Sequence, residues 1–194
     1  MADLTQILTL EPPEAAPKLL GCILSREIDG RVIRGVITET EAYTADDPAS
    51  HSFGGESLRN KAMFGKPGDV YVYFIYGAHF CMNIVTGLKK GGAVLIRGLI
   101  VSDGLRVAWQ NRYHEALPLR PPKVKLANLT NGPGKVAQAL AIDVSFNHLN
   151  LLDPDSVLRL AKQPGKITIK ALQTPRIGIT KGAHTPWRWI LQPQ

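Results

Sequence analysis

Residues 70–83 read Val-Tyr-Val-Tyr-Phe-Ile-Tyr-Gly-Ala-His-Phe-Cys-Met-Asn, two β-prone runs that meet at Tyr76-Gly77. A run of this kind returning through a glycine reads as an antiparallel hairpin. Strand side chains alternate between faces, so Tyr71, Tyr73, Phe74, Ile75 and Tyr76 cannot all enter one interior. Some of these rings must point away from the core, where their flat, amphipathic faces are available to a stacking partner.

The rest of the chain is organised around similar signals. Residues 12–21 predict a short helix ended by Gly21, with its prolines tolerated in the first turn. Residues 22–27 and 31–42 predict two strands joined through Asp29-Gly30. A long polar segment, 44–68, then holds Asp46, Asp47, His51 and several glycines and prolines; a loop of that length is usually functional or disordered. Strands are expected at 70–76, 80–86 and 93–101, and helices at 103–112 and 134–141, with 120–129 as a Pro/Lys-rich loop. Short strands are expected at 157–161, 167–172, 176–180 and 187–191, separated by proline breaks. No repeat or linker interrupts the pattern. The expectation is one α+β domain over residues 1–194, built on a curved, mainly antiparallel sheet with flanking helices.

Composition narrows the function classes. No apolar run approaches the roughly 20 residues needed to span a membrane, and Met1–Glu14 lacks a secretory pattern. A cytoplasmic protein is expected, nucleoid-associated if bacterial. Cys22 and Cys81 are too few for a disulfide framework and lack metal-ligand spacing, so neither a metal nor a cofactor is expected. Cys81 lies in an apolar strand and reads as a buried thiol. Charge is unevenly spread: residues 1–56 carry four Lys/Arg against ten Asp/Glu, a net of −6. Residues 57–194 carry nineteen against six, a net of +13. A solvated basic surface and a polyanion-facing one both fit, and the second makes a nucleobase the natural stacking partner.

Few residues are placed for chemistry. Glu39 and Glu41 share one face at the end of the second strand, either as an acid/base pair or with one of them structural. His51 lies on the loop that follows. Arg97 is a lone charge in an apolar strand and requires a partner, which a carboxylate across the sheet would provide. Asn131-Gly132-Pro133-Gly134-Lys135 precedes an Ala-rich helix. It reads equally as a phosphate-binding helix start or as a plain turn. No Gly-x-Ser-x-Gly, P-loop, His-Glu-x-x-His or Gly-x-Gly-x-x-Gly motif is present. A glutamate, a tyrosine hairpin, an isolated arginine and a basic face together suggest excision of a base extruded from DNA.

From about Pro17 to Ile190 the chain resembles the alkyladenine (3-methyladenine) DNA glycosylase family, the mammalian alkylpurine glycosylase type. The resemblance rests on Glu39-Thr40-Glu41-Ala42-Tyr43, Arg59-Asn60, Met63-Phe64, Lys66-Pro67-Gly68, Tyr71-Val72-Tyr73 and Tyr76-Gly77. It continues through Phe80-Cys81-Met82-Asn83-Ile84, Leu95-Ile96-Arg97, Gly132-Pro133, Lys135 and Arg176-Ile177-Gly178-Ile179. It implies a monofunctional glycosylase, with no lysine nucleophile, that hydrolyses N-glycosidic bonds of 3-methyladenine, 7-methylguanine, hypoxanthine or ethenoadenine in double-stranded DNA.

By the same resemblance, Glu41 is the base that activates water, held with Arg97 and the main-chain carbonyl of Ile179. Tyr43 and Tyr73 sandwich the flipped base, and His51, Asn83 and Leu95 line its pocket, Asn83 disfavouring guanine. Tyr76 is the wedge left in the duplex, with Gly77, His79, Arg59, Gly132 and Lys135 toward DNA. His79 departs from the family pattern, where a further tyrosine is usual, which leaves the detail of DNA contacts open. No N-terminal extension of the kind found in larger relatives is evident, and a monomer close to the minimal catalytic core is expected. Two rival readings compete with this one: a module that flips lesions without cleaving them, which would not need Glu41, and a small-molecule hydrolase, which leaves the basic surface and the tyrosine hairpin unexplained.

Overall fold

Long-range antiparallel pairing dominates the computed structural model, which describes residues 3–164 and 170–192. Its elements are α1 (Leu4–Leu8), α2 (Pro12–Leu19), β1 (Ile23–Ile28), β2 (Arg31–Tyr43), β3 (Val70–Ile75), β4 (His79–Val85) and β5 (Ala93–Asp103). They continue with α3 (Leu105–Tyr113), α4 (Lys123–Ala127), α5 (Pro133–Ala139), β6 (Leu158–Ala161), β7 (Ala171–Thr174) and β8 (Arg188–Leu191). Among the described residues these strands form one sheet in the order β3-β4-β5-β2-β1-β6, with β8 pairing β2 and β7. Every pairing between these strands is antiparallel. The α+β class and curved sheet expected from sequence are observed.

Both expected hairpins are present. Asp29 and Gly30 carry φ of 48° and 72°, the left-handed pair that a two-residue type I′ turn requires. β3 and β4 pair in register from Val70↔Ile84 to Ile75↔His79. The Ala78 N–H donates to the Ile75 carbonyl at 3.2 Å and closes the turn at Tyr76-Gly77.

The larger apolar cluster joins α1, α2, α3 and α5 to one face of the sheet, with Leu8, Leu19, Ile37, Met82, Ile96, Trp109 and Leu140 fully buried. Period two now acts as a sorter. Val70, Val72, Met82 and Ile84 of the β3–β4 hairpin enter this core, so Tyr71, Tyr73, Cys81 and Asn83 must face the other way. The buried Thr40 does the same on β2: its hydroxyl donates to the Ala16 carbonyl of α2 at 3.0 Å, which leaves Glu39 and Glu41 on the opposite face.

Three sequence expectations require correction. Residues 120–129 contain a short helix, α4, rather than only loop. It is pinned to α3 by tertiary contacts, with the Tyr113 hydroxyl donating to the Lys125 carbonyl at 2.6 Å. The five-residue α1 was not anticipated. Residues 176–180 are bends and irregular backbone, not a strand, because Gly178 takes φ of 76° and the Arg176 side chain and Ile177 N–H bond elsewhere. The expected strand at 167–172 begins on residues outside those described, and Ala171 and Leu172 do open β7. No helix among the described residues is long and apolar enough to cross a membrane.

Candidate active site

A cleft of about 560 Å³ opens on the face of the sheet that carries Glu41, Tyr71, Tyr73 and Asn83, and Arg112 of α3 and the start of α5 also line it, a volume ordinary for a small-molecule pocket. Strand register builds its floor. Tyr71 of β3 pairs Asn83 of β4, Asn83 pairs Leu95 of β5, and Leu95 pairs Glu41 of β2. These four residues form one row across the sheet, and all four line the cleft.

Arg97 reaches this row through an irregularity. Between β2 and β5 the register passes from Ile37↔Leu99 to Glu39↔Gly98 and then Thr40↔Ile96, so Thr38 and Arg97 each lack a partner. Such bulges re-aim side chains. Here Arg97 Nε donates to Glu39 Oε1 at 2.8 Å and lies 3.4 Å from Glu41 Oε1. Gly98 permits the approach, because a β-carbon there would lie 3.0 Å from Thr38 Oγ1 and 3.1 Å from Glu39 Cβ. The charge in an apolar strand thus has two carboxylate partners. Burial works against the Arg97 charge, yet Glu41 and Glu39 outweigh it and raise the guanidinium's pKa.

Glu41 is fully buried and surrounded by donors. The Tyr43 hydroxyl donates to Oε2 at 2.8 Å, and the Ile177 N–H donates to Oε1 at 2.8 Å. A carboxylate offers about four acceptor positions, so an acceptor position is left for a further donor such as water. Glu39 has a different environment: its Oε1 also accepts from Arg188 Nε at 2.6 Å, and it does not line the cleft. The two carboxylates thus differ in position. Glu41 faces the cleft, and Glu39 ties arginines together behind it.

The aromatic walls are fixed by contacts between themselves. His51 stands edge-on to Tyr73, with ring centroids 4.5 Å apart, and its Nδ1 is 2.9 Å from the Tyr71 hydroxyl. Burial, with a smaller effect from Arg59, lowers the His51 pKa, so the imidazole is neutral at pH 7. Burial raises the phenols: Tyr71 is pushed up to about 12, Tyr73 rises further with Cys81 adding to it, and so does Tyr43 with Glu41 adding to it. All three rings are therefore uncharged at neutral pH. Asn83 is held by a bond from its Nδ2 to the Tyr71 carbonyl at 3.1 Å.

Most residues singled out from sequence converge here. Glu41, Tyr43, His51, Tyr73, Tyr76, His79, Asn83, Leu95, Arg97, Gly132, Lys135 and Ile179 all line the cleft. Gly77 and Arg59 do not. Gly77 sits in the hairpin turn with φ of 63°, and Arg59 is exposed on the loop next to His51. Tyr76 is 80% exposed at the hairpin tip, and His79 packs over Gly134 at the start of α5. Lys135 Nζ is held by Asn131 Oδ1 at 2.8 Å and Asn128 Oδ1 at 3.1 Å. Cys81 is buried, and burial raises its thiol pKa. Among the described residues no group of three or more His, Cys, Asp or Glu side chains could hold a metal ion.

Sequence reasoning missed three contributors. Tyr71 lies in the tyrosine run and in the matched segment Tyr71-Val72-Tyr73 but carries no site role in the sequence reading, yet its hydroxyl stands 2.9 Å from His51 Nδ1. The backbone contact on Glu41 comes from Ile177, two residues before Ile179. Arg176 and Asp47, buried together beneath Tyr43, had no sequence signal beyond the matched segment 176–179, because 129 residues separate them.

The profile of the methylpurine-DNA glycosylase (MPG) family matches residues 6–194. A protein of Granulibacter bethesdensis is 46% identical over 176 residues, covering 91% of this chain and 77% of its own length. One from Francisella tularensis subsp. tularensis is 40% identical over 194 residues, covering 99% and 96%. One from Trichodesmium erythraeum is 39% identical over 182 residues, covering 92% and 88%. All three carry the name "Putative 3-methyladenine DNA glycosylase". With a profile match over nearly its whole length and close relatives of matching extent, the chain belongs to the methylpurine-DNA glycosylase family.

Proposed function

We propose that this DNA glycosylase removes alkylated or deaminated purines from duplex DNA by hydrolysing the N-glycosidic bond with a water activated by Glu41. The substrates in view are 3-methyladenine, 7-methylguanine, hypoxanthine and ethenoadenine. The observation that carries the reading is the buried Glu41 carboxylate, with donors on both oxygens, at the floor of a cleft walled by uncharged tyrosines.

The chemistry follows from that arrangement. The flipped purine stacks between Tyr43 and Tyr73, edge-on to His51. Alkylation at N3 or N7 makes the base cationic, which favours both its stacking on electron-rich rings and its departure. As the C1′–N bond breaks, the sugar gains oxocarbenium character, which the Glu41 carboxylate stabilises. Water held among Glu41, Arg97 and the 177–179 main chain, where Ile179 is the proposed carbonyl ligand, attacks C1′. Its proton passes to Glu41, and the base leaves with the bonding electron pair. Lys135, the lysine in the cleft wall, has its ammonium engaged by Asn128 and Asn131. The reaction is accordingly assigned as monofunctional, with water as nucleophile. Asn83, fixed by its bond to the Tyr71 carbonyl, is placed to crowd the exocyclic amine of guanine. Tyr76 fills the gap in the stack, and Arg59, His79, Gly132 and Lys135 face the backbone. The enzyme acts as a monomer.

The test is single-turnover excision by wild type and Glu41→Gln on duplexes bearing one ethenoadenine, hypoxanthine or 3-methyladenine-like lesion. Loss of product with retained lesion binding in the variant is expected. Full turnover by Glu41→Gln would remove the assigned base, and tight binding without product by the wild type on every lesion would leave a flipping module. Lesion-duplex affinity should also fall steeply with added salt, in proportion to the phosphates contacted.

A further inference from the structure

Behind the cleft, Arg176 joins three segments that each bring a group to the site. Its side chain is fully buried and that of its partner Asp47 is 3% exposed. Nη1 donates to the Asp47 carboxylate and, at 2.9 Å, to the Ala42 carbonyl. Nη2 donates to Asp47 Oδ1 at 3.1 Å and to the Gly182 carbonyl at 3.4 Å. The guanidinium carbon lies 4.6 Å from the Tyr43 ring centroid and 5.3 Å from that of Trp187. The Trp187 carbonyl accepts the Ala42 N–H at 2.9 Å.

Each of these contacts leads to a cleft group. Ala42 stands between Glu41 and Tyr43. Asp47 opens the turn at residues 47–50 that leads directly into His51, and its Oδ1 also accepts the Ala49 N–H at 3.0 Å. Arg176 itself is followed by Ile177, whose N–H holds Glu41. One planar cation therefore contacts the back of the stacking ring and fixes the chain on both sides of the carboxylate. A lysine could supply the charge but neither the flat stacking surface nor the fork of donors.

We propose that Arg176, paired with Asp47, is the positioning residue of this site. It sets the Tyr43 ring and the Ile177 N–H relative to Glu41, and so fixes where the water stands against C1′. Arg176 does not line the cleft and touches no reacting atom, so its action is through Tyr43, Ala42 and Ile177. The proposal rests on the assignment of Glu41 as base.

The experiment compares wild type, Arg176→Lys, Gly182→Ala and Glu41→Gln on a duplex with a single ethenoadenine. It records the single-turnover rate, the affinity for the same duplex without the lesion, and thermal unfolding. Gly182→Ala disturbs the pair from an exposed loop in two ways: its β-carbon would lie 3.2 Å from both Arg176 Nη2 and Asp47 Oδ1, and at φ of 60° alanine strains the loop backbone that accepts from Nη2. A misplacement of about 1 Å costs on the order of 100-fold in rate, so Arg176→Lys should excise about 10- to 100-fold more slowly. Gly182→Ala should show a smaller fall. Both should bind lesion-free duplex within about twofold of wild type, since the hairpin and basic surface are untouched. Wild-type excision by Arg176→Lys while Glu41→Gln is inactive overturns the proposal. So does a parallel loss of folding, lesion-free binding and excision in both Arg176→Lys and Gly182→Ala, which would make the pair purely structural. If Glu41→Gln is active, the base assignment fails instead, and Arg176 is then judged by whether its lysine variant still slows excision.

Discussion

Glu39→Gln separates the two carboxylates that the sequence places side by side. Glu39 Oε1 accepts from Arg97 at 2.8 Å and from Arg188 at 2.6 Å, with the glutamate side chain 18% exposed. Arg188 also bonds Thr174 Oγ1 of β7 at 3.1 Å. Removing the charge weakens two charge-assisted hydrogen bonds that together link β2, β5 and β8. Such bonds contribute about 1.5–3 kcal/mol each. Glutamine keeps an acceptor oxygen for one of them, so the expected loss is about 2–3 kcal/mol. For a domain of this size that corresponds to roughly 4–12 °C in Tm.

Excision should nevertheless stay within about threefold of wild type, because Glu41 keeps its bonds from Tyr43 and Ile177 and Arg97 gains freedom to turn fully toward it. Thermal unfolding paired with single-turnover excision reads both effects. The mirror variant, Glu41→Gln, should give the opposite pattern, with excision lost and Tm much less affected than excision. A Glu39→Gln protein that unfolds at the wild-type temperature yet no longer excises would refute the division of roles.

Three shorter predictions address the walls of the cleft. Tyr43→Phe keeps the stacking ring but removes the bond to Glu41 Oε2, a change of about 1.5–3 kcal/mol; excision should slow about 10- to 100-fold while lesion affinity, measured by anisotropy, changes little. Tyr76 holds φ of 54° at the hairpin tip, where asparagine is better tolerated. Tyr76→Asn should raise Tm by about 1–3 °C and weaken lesion-duplex binding about 10- to 100-fold, the value of one base–aromatic stack. His51 has a folded pKa below its ordinary value of 6.5. Its contribution to stability is therefore intact above that value and lost as pH falls through the folded pKa; urea unfolding should show a decline below about pH 6.5 that is shallower in His51→Gln.

The parts of the molecule legible in the sequence are those governed by local periodicity. Alternation placed the two hairpins and showed that the tyrosines could not all be buried, because the face of a strand residue is set by its own parity. The need of Arg97 for a carboxylate was also legible, since an apolar strand cannot hold an unpaired charge. Its route to that partner was not. Strict alternation has no place for the paired irregularity at Thr38 and Arg97. Residues 176–180 failed for a related reason: Ile-Gly-Ile alternates like a strand, but Ile177 is 49% exposed and its N–H is claimed by Glu41 rather than by a neighbouring strand. The five-residue α4 is too short to be stable alone. It forms against α3, with Lys125 Nζ 5.1 Å from the Tyr113 ring centroid.

The departures from local rules are unevenly distributed. A tyrosine at positive φ, a double register shift, a fully buried glutamate and a buried Arg–Asp pair all lie around one cleft. Among the described residues, the other non-glycine residues at positive φ are Asp29, His114, Ala141 and His148. Asp29 completes a hairpin turn, His114 caps α3 and Ala141 follows the end of α5, where left-handed backbone is ordinary. Tyr76 differs because the large side chain is the poor choice for its own turn. A sequence under selection for folding alone would place asparagine there and would pack leucine where Glu41 is buried. Such costs persist where the surrounding structure compensates for them, and here the compensation is visible in Thr40 anchored to α2, Asn83 anchored to β3 and Arg176 anchored to Asp47. Stabilising substitutions should therefore be found at Tyr76 and Glu41 at the expense of activity, whereas Thr40→Val, which breaks the anchor to α2 without touching the cleft, should lower stability and activity together.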